Sequence, residues 1–545
     1  MSDLFVRKAT GMVRSWSVFD AFVYAFFSIN LVTLGLYIFS QMYFFEGGMI
    51  NALLVSAFFL VFEIIVYASL ISVMPRAGGD YVWMTRIFGG AVGFILAMTG
   101  WWFTLWLWVP LYGDMLRHIV ITPILGLLGA TSTALWFGQT EIGLFVTTLI
   151  TVGLATLTVI LGMKTYARIQ KFSFYAGMLG FLIVLVLLLT GSPEAFKAGL
   201  EKYAVSVFGA QPGVYEATVQ AGTDAGAITP MWGGSLNSIL LLLPYLVFFN
   251  LFPNWGATLY GEVRGATDYK RNFAGMAWGL GVTTVLGIVF FLAVNKTIGW
   301  DFYMQANAAW WNSVWYGAES PLPFWPYPAL FAAFLTNNTF VQLIIIVLMS
   351  FWWFGWVGTV FLSSTRVIFA AAFDRLLPEK AAELNNNGTP VNAILLMAIP
   401  AVIVSYLFAF NEAGFRSLTL FGTLVIAVMY LGTSIAAMIL PYTKKDLFEA
   451  SPIAKIKVAG IPLITVAGAI FSGFALYLLY QWILDPNALY GIGYSINPNG
   501  LKNQTSMILM FVFYVGAAGV YYYFKARRKS EGIDMDKVQS EIPVE

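Results

Sequence analysis

Two stretches put polar and helix-breaking residues in the middle of long apolar segments. They are FFSINLVTLGLYIF, residues 26–39, and FFNLFPNWGATLY, residues 248–260. The first carries Ser28, Asn30, Thr33 and Gly35, and the second Asn250, Pro253, Asn254 and Gly256. A proline removes a main-chain donor and its ring clashes with the carbonyl four residues back. Groups freed in hydrocarbon are costly unless protein, water or a ligand satisfies them. A half-helix N-terminus then offers N–H groups to an anion and a half-helix C-terminus offers carbonyls to a cation, a combination that suits a zwitterion. The same residue types also serve simply to pack or kink helices. The candidate substrate contacts are Ser28, Asn30, Thr33, Leu34 and Gly35 on one stretch. On the other they are Phe248, Asn250, Leu251, Phe252 and Asn254, with Pro253 and Gly256 making the break.

These stretches need a membrane around them, and composition supplies it. The 545 residues are 59% hydrophobic and 10% charged, where a soluble domain is nearer one quarter charged; the mean hydropathy is +0.78. Apolar runs of about 20 residues recur along the chain. They predict twelve spans, at residues 18–45, 49–74, 89–112, 142–163, 172–189, 236–260, 273–294, 339–364, 391–410, 418–440, 461–483 and 505–524. With the N-terminus inside, 23 of the 29 lysines and arginines fall in cytoplasmic segments. This bias places both termini in the cytoplasm and the long 5/6 and 7/8 connections outside. The expected location is thus the cell membrane, as a multi-pass protein in contact with the lipid bilayer. The opening MSDLFVRKATGMVRSW does not read as a cleavable signal, because the apolar segment after it is too long. A net charge of +2 gives no reason to expect a nucleic-acid partner, and the absence of cysteine excludes disulfides and thiolate metal sites. No metal cluster, nucleophile triad or phosphate loop appears, so neither an enzyme nor a cofactor is expected.

Spans 1 and 6 are five apart and therefore cross in opposite directions. Matching interruptions in two halves of opposite topology point to an inverted-repeat secondary transporter with its site at the midplane. The expected fold is all-α and integral to the membrane: a 5+5 inverted repeat with discontinuous helices 1 and 6, plus two appended helices. Its parts are an N-terminal tail (1–17), repeat 1 (18–192), an external loop (193–235), repeat 2 (236–442), two further spans (443–524) and a C-terminal tail (525–545).

Four segments in order carry a family likeness. MPRAGGDYVW follows span 2, LGMKTYARIQKF joins spans 4 and 5, TLYGEVRGATDYKRN ends span 6, and SSTRVIFAAAFDRLLPEKAAELNNNGTPVNAI follows span 8. As a set they resemble the signatures of the amino acid–polyamine–organocation permeases across spans 1 to 10. The resemblance implies amino acid import or exchange by alternating access, with span 1 N–H groups holding the substrate carboxylate. The chain departs from that pattern in three places. Thr33-Leu34-Gly35 replaces a Gly-Ser-Gly, and Phe252 and Asn254 stand where members carry glycine and an acidic residue. Gly177 stands where proton-coupled members often carry lysine. Bulky Leu34 and Phe252 are expected to shrink or reshape the pocket. A polyamine, organic cation or nucleobase is therefore an alternative cargo, and a non-transporting sensor or channel an alternative of another class.

The coupling ion is open between proton and sodium. Glu63, in LVFEIIVYASL, is a midspan carboxyl and so a functional candidate by default. It either carries a proton or braces span 2 against a neighbour. The hydroxyls of Thr359, Ser363 and Ser364 are candidates for sodium, but such hydroxyls also bond their own helix backbone. Asp20 suits capping or gating contacts, and His118 the end of span 3. Among the abundant aromatics most face lipid, while a minority on spans 3, 6 and 8 line the pocket, with Phe248 or Phe252 as a gate. The sequons at Asn295 and Asn503 are weak patterns.

Overall fold

The computed structural model describes residues 14–411, 415–484, 496–497, 500–501 and 504–542. Arg7, Lys8 and Asn503 lie outside the described residues. Among the described residues, twelve helices are long and apolar enough to cross a membrane: Val18–Ser40, Met49–Val73, Gly90–Leu127, Glu141–Ile160, Met163–Thr190, Leu236–Glu262, Tyr269–Thr297, Thr339–Phe373, Val391–Ala409, Gly422–Thr443, Leu463–Ile483 and Ile508–Ser530. They are called spans 1 to 12 in that order. Span 1 is the most enclosed, with 94% of its apolar window buried against 17% for span 12. The centre of the protein is therefore built around span 1, and span 12 lies at its edge.

Several boundaries differ from the sequence reading for physical reasons. Span 1 opens on a capping box, in which the Ser17 hydroxyl takes the Asp20 N–H and the Asp20 carboxylate takes the Ser17 N–H. Its helix stops at Ser40 rather than Phe45. Span 3 continues past Tyr112 to Leu127, because Asp114 is satisfied inside the bundle by the Tyr37 hydroxyl (2.7 Å) and Arg117 Nε (2.7 Å). His118 accordingly lies within the helix and not at its end. Span 5 begins at Met163, and span 8 runs to Phe373, past the expected end at Ser364. Arg366, read as a loop residue, is buried within span 8 and paired with Glu262, Nε to Oε1 2.7 Å.

Span 8 is itself interrupted. It consists of helices Thr339–Phe354 and Thr359–Phe373 around Gly355–Gly358. A Cβ at Gly355 would lie 2.3 Å from the Phe27 ring, so only glycine lets span 1 approach this closely. The two polar connections, read as loops, also contain helices: Pro193–Phe208 and Val214–Asp224 before span 6, and Trp300–Tyr316 and Pro328–Ala333 before span 8. Ser192 and Pro193 start the first of these as N-cap and N1 proline. Asn295, the remaining sequon, lies in span 7, and its third residue Thr297 is buried against the Leu188 carbonyl.

Candidate substrate site at the two helix breaks

The break in span 1 falls at Asn30. Helix Val18–Ile29 ends there, Asn30 takes a left-handed conformation (φ 44°, ψ 83°), and a π-helical turn Leu31–Gly35 leads into Leu36–Ser40. Asparagine tolerates that conformation and can cap from it. Its Oδ1 accepts from the Thr33 N–H at 2.9 Å, and its Nδ2 donates to the Trp352 carbonyl at 2.9 Å. Gly35, expected to weaken the helix, instead has helical angles (φ −61°, ψ −54°). Its role is close approach: a Cβ there would meet the Phe249 ring of span 6 at 2.9 Å. Ser28 bonds back to the Tyr24 carbonyl of its own helix. The Thr33 hydroxyl is buried, with no partner among the described residues.

The break in span 6 follows from Pro253. Helix Leu236–Asn250 ends, Leu251 to Asn254 are non-helical, and a 3-10 helix Trp255–Glu262 completes the span. Asn250 accepts from the Ser56 hydroxyl of span 2 at 2.9 Å, and Asn254 accepts from the Tyr430 hydroxyl of span 10 at 3.1 Å. The amide nitrogens of both asparagines are buried without an acceptor. Leu251 and Phe252 are buried.

A small apolar cavity opens beside the span 1 break. It is lined by Leu34, Ile38, Trp108, Tyr112, Phe248 and Trp356, among others, and no lining residue is charged. The Trp108 indole N–H on its wall has no partner. Through Tyr37 and Leu111 the cavity adjoins a second space that reaches Asp114, Arg117, Trp311 and Trp315. A third space lies toward the N-terminal end of span 1, against Trp16, Tyr24, Pro253, Gly256 and Tyr260. An aromatic partition stands between the first and third. Trp108 and Trp255 stack at 5.9 Å and 3°, and Phe252 meets them edge-on at 5.3 and 5.1 Å.

Of the residues singled out from sequence, Leu34 and Phe248 line the central cavity, Pro253 and Gly256 line the third space, and Phe252 belongs to the partition. Sequence reasoning placed aromatics of spans 3 and 8 near the pocket without choosing among them. The ones that reach it are Trp108, Tyr112 and Trp356. Tyr37 and Tyr24, on span 1 itself, were missed, because a tyrosine at helical spacing in an apolar run carries no distinguishing signal.

The coupling candidates separate into two groups. The span 8 hydroxyls give their hydrogens to main-chain carbonyls: Thr359 to Trp356 at 2.8 Å, Ser363 to Trp255 at 2.9 Å, and Ser364 to Val360 at 2.7 Å. The Tyr24 hydroxyl sits against Ser363 Oγ at 2.6 Å and against the Thr359 carbonyl at 3.1 Å. Glu63, on span 2, is fully buried, and neither carboxyl oxygen has a partner among the described residues. Asp80, after span 2, is also buried but accepts from the Tyr67 hydroxyl (2.5 Å), Thr433 (2.6 Å) and the Trp101 indole (2.9 Å). Burial pushes the Asp80 carboxyl above its ordinary range, and those three donors pull against it. At Gly177 span 5 packs against Trp352, whose indole donates to the Gly177 carbonyl at 2.9 Å. The same Trp352 holds Asn30, so spans 1, 5 and 8 are tied here by neutral groups.

Among curated proteins none matches the chain. A family model described as amino acid permease matches residues 18–518, from the first residue of span 1 into span 12. With spans 1 to 11 and the start of span 12 inside one match, the chain belongs to the amino acid permease family, whose members are multi-pass membrane transporters of amino acids.

Proposed function

We propose that the protein moves an amino acid across the membrane by alternating access, holding it between the breaks of spans 1 and 6. The observation that carries this reading is the uncharged cavity of Leu34, Trp108, Phe248 and Trp356, set directly against the span 1 break. The substrate carboxylate is assigned to the N-terminal end of the Leu31–Gly35 turn and the unpartnered Thr33 hydroxyl. The ammonium group is assigned to the carbonyl end of helix Leu236–Asn250. The side chain then enters the cavity, whose apolar walls favour branched aliphatic or aromatic amino acids and disfavour charged ones.

Spans 1–5 and 6–10 serve as the inverted repeats, and the charge bias sets both termini in the cytoplasm. Access alternates as the Trp108–Phe252–Trp255 partition and the flanking half-helices rearrange between the outer and inner spaces. The test is counterflow: proteoliposomes loaded with one unlabelled amino acid and offered labelled leucine or phenylalanine outside. Uptake that leucine, isoleucine or phenylalanine competes, and that lysine and glutamate do not, supports the assignment. Competition by polyamines or nucleobases alone would sink it. Phe248→Ala is expected to widen the cavity and shift preference toward bulkier side chains.

A further inference from the structure

We propose that Glu63 is a proton-binding site that couples proton movement to the rearrangement of span 6; this rests on the transport reading above. Span 2 packs against both halves of span 6. Ser56 of span 2 is bonded to Asn250 at the end of the first half. Seven residues further on, ~10 Å of helix rise, Glu63 reaches the level of the segment after the break. Two donors of that segment, the Asn254 amide and the Thr258 hydroxyl, are buried and unpartnered, as are both Glu63 oxygens. Facing elements therefore carry two acceptors and two donors that are not joined in this conformation.

The groups facing Glu63 decide its state here. Among the described residues Asp80, Tyr67 and Tyr430 are within electrostatic reach, and no basic side chain is. Asp80 already draws on three donors, Tyr67 among them, and Tyr430 donates to Asn254. An ionised carboxylate with neither donor nor cation in such a place costs several kcal/mol, more so beside a second carboxyl, so Glu63 holds its proton in this state. When the proton leaves, the carboxylate needs donors, and those at its level are Asn254 and Thr258. Drawing them in moves the segment after the break relative to span 2. Deprotonation and the position of half of span 6 thus become one equilibrium.

The test uses the full-length protein in proteoliposomes with labelled leucine. At one proton per substrate, an inward gradient of one pH unit drives about tenfold accumulation. The wild type is expected to show it, and Glu63→Gln to show none while retaining leucine exchange. Accumulation by Glu63→Gln under the pH gradient, or wild-type accumulation driven only by sodium, overturns the proposal. Absence of counterflow with every amino acid overturns the transport reading and this coupling with it. A measurement on the unmutated protein guards against a misfolded variant. Dicyclohexylcarbodiimide, which attacks protonated carboxyls in apolar surroundings, should label Glu63 at acidic pH, and saturating leucine should change the rate. No labelling of Glu63 at any pH contradicts its holding a proton.

Discussion

The two helix breaks solve the same problem in different ways. In span 1, Asn30 supplies everything locally: the left-handed turn, the cap on Thr33 and the tie to span 8 through Trp352. In span 6, Pro253 removes a donor and no single residue closes the gap. Asn250 and Asn254 lean on spans 2 and 10 through their oxygens and leave their amide hydrogens unspent. The first break is a fixed feature of one central helix. The second depends on its neighbours and keeps polar groups in reserve, which suits an element that changes partners. Its far end is nonetheless anchored, because Glu262 is paired with Arg366 in full burial. In this conformation the stretch between Asn250 and Glu262 is tethered at both ends, to span 2 and to span 8.

Replacing the self-contained break should do the most damage. Asn30→Val puts a β-branched residue in a left-handed conformation and removes both side-chain hydrogen bonds. The combined loss is about 3–6 kcal/mol, a large part of the total stability of a typical protein. The expected result is a collapse in folded yield and melting temperature in detergent. A stable, active Asn30→Val would show that span 1 does not need this cap.

Pro253→Ala should act on function rather than folding. It restores an N–H donor and lets the span 6 helix continue past Asn250. Uptake is expected to fall at least ~10-fold, the effect of about 1.4 kcal/mol spent straightening the helix, with gel-filtration behaviour unchanged. If it melts as Asn30→Val does, the contrast between a structural and a working break disappears. The smallest effect belongs to Ser56→Ala, which removes one buried hydrogen bond to Asn250. A loss of ~1 kcal/mol is expected, read as a small drop in melting temperature. A loss comparable to that of Asn30→Val would place the fixed point of span 6 on span 2.

The breaks themselves were legible in the sequence, because Pro253 lacks a main-chain donor and the Ser28–Gly35 cluster sets polar residues inside an apolar run, at matching places in two halves of the chain. How each break is made was less so. Gly35 drew attention as a weak point, yet its purpose is the Phe249 contact, which depends on a helix more than 200 residues away. The interruption in span 8 escaped notice because Trp356 and Val357 keep GWVG apolar, and only the packing of Phe27 reveals the need for Gly355. Asp80 was read as part of a motif; its three donors come from spans 2, 3 and 10 and converge only in the fold. Charge placement misjudged Arg366 because a buried pair has no local mark distinguishing it from a cytoplasmic loop arginine.

The central claim is that an amino acid is carried from a site between the two breaks. Counterflow of labelled leucine into proteoliposomes by the wild type and Pro253→Ala, side by side, tests it most directly. The account predicts saturable counterflow by the wild type, competed by branched and aromatic amino acids, and at least ~10-fold less by an equally well-folded Pro253→Ala. Equal counterflow by both proteins, or none by the wild type with any amino acid, would contradict it.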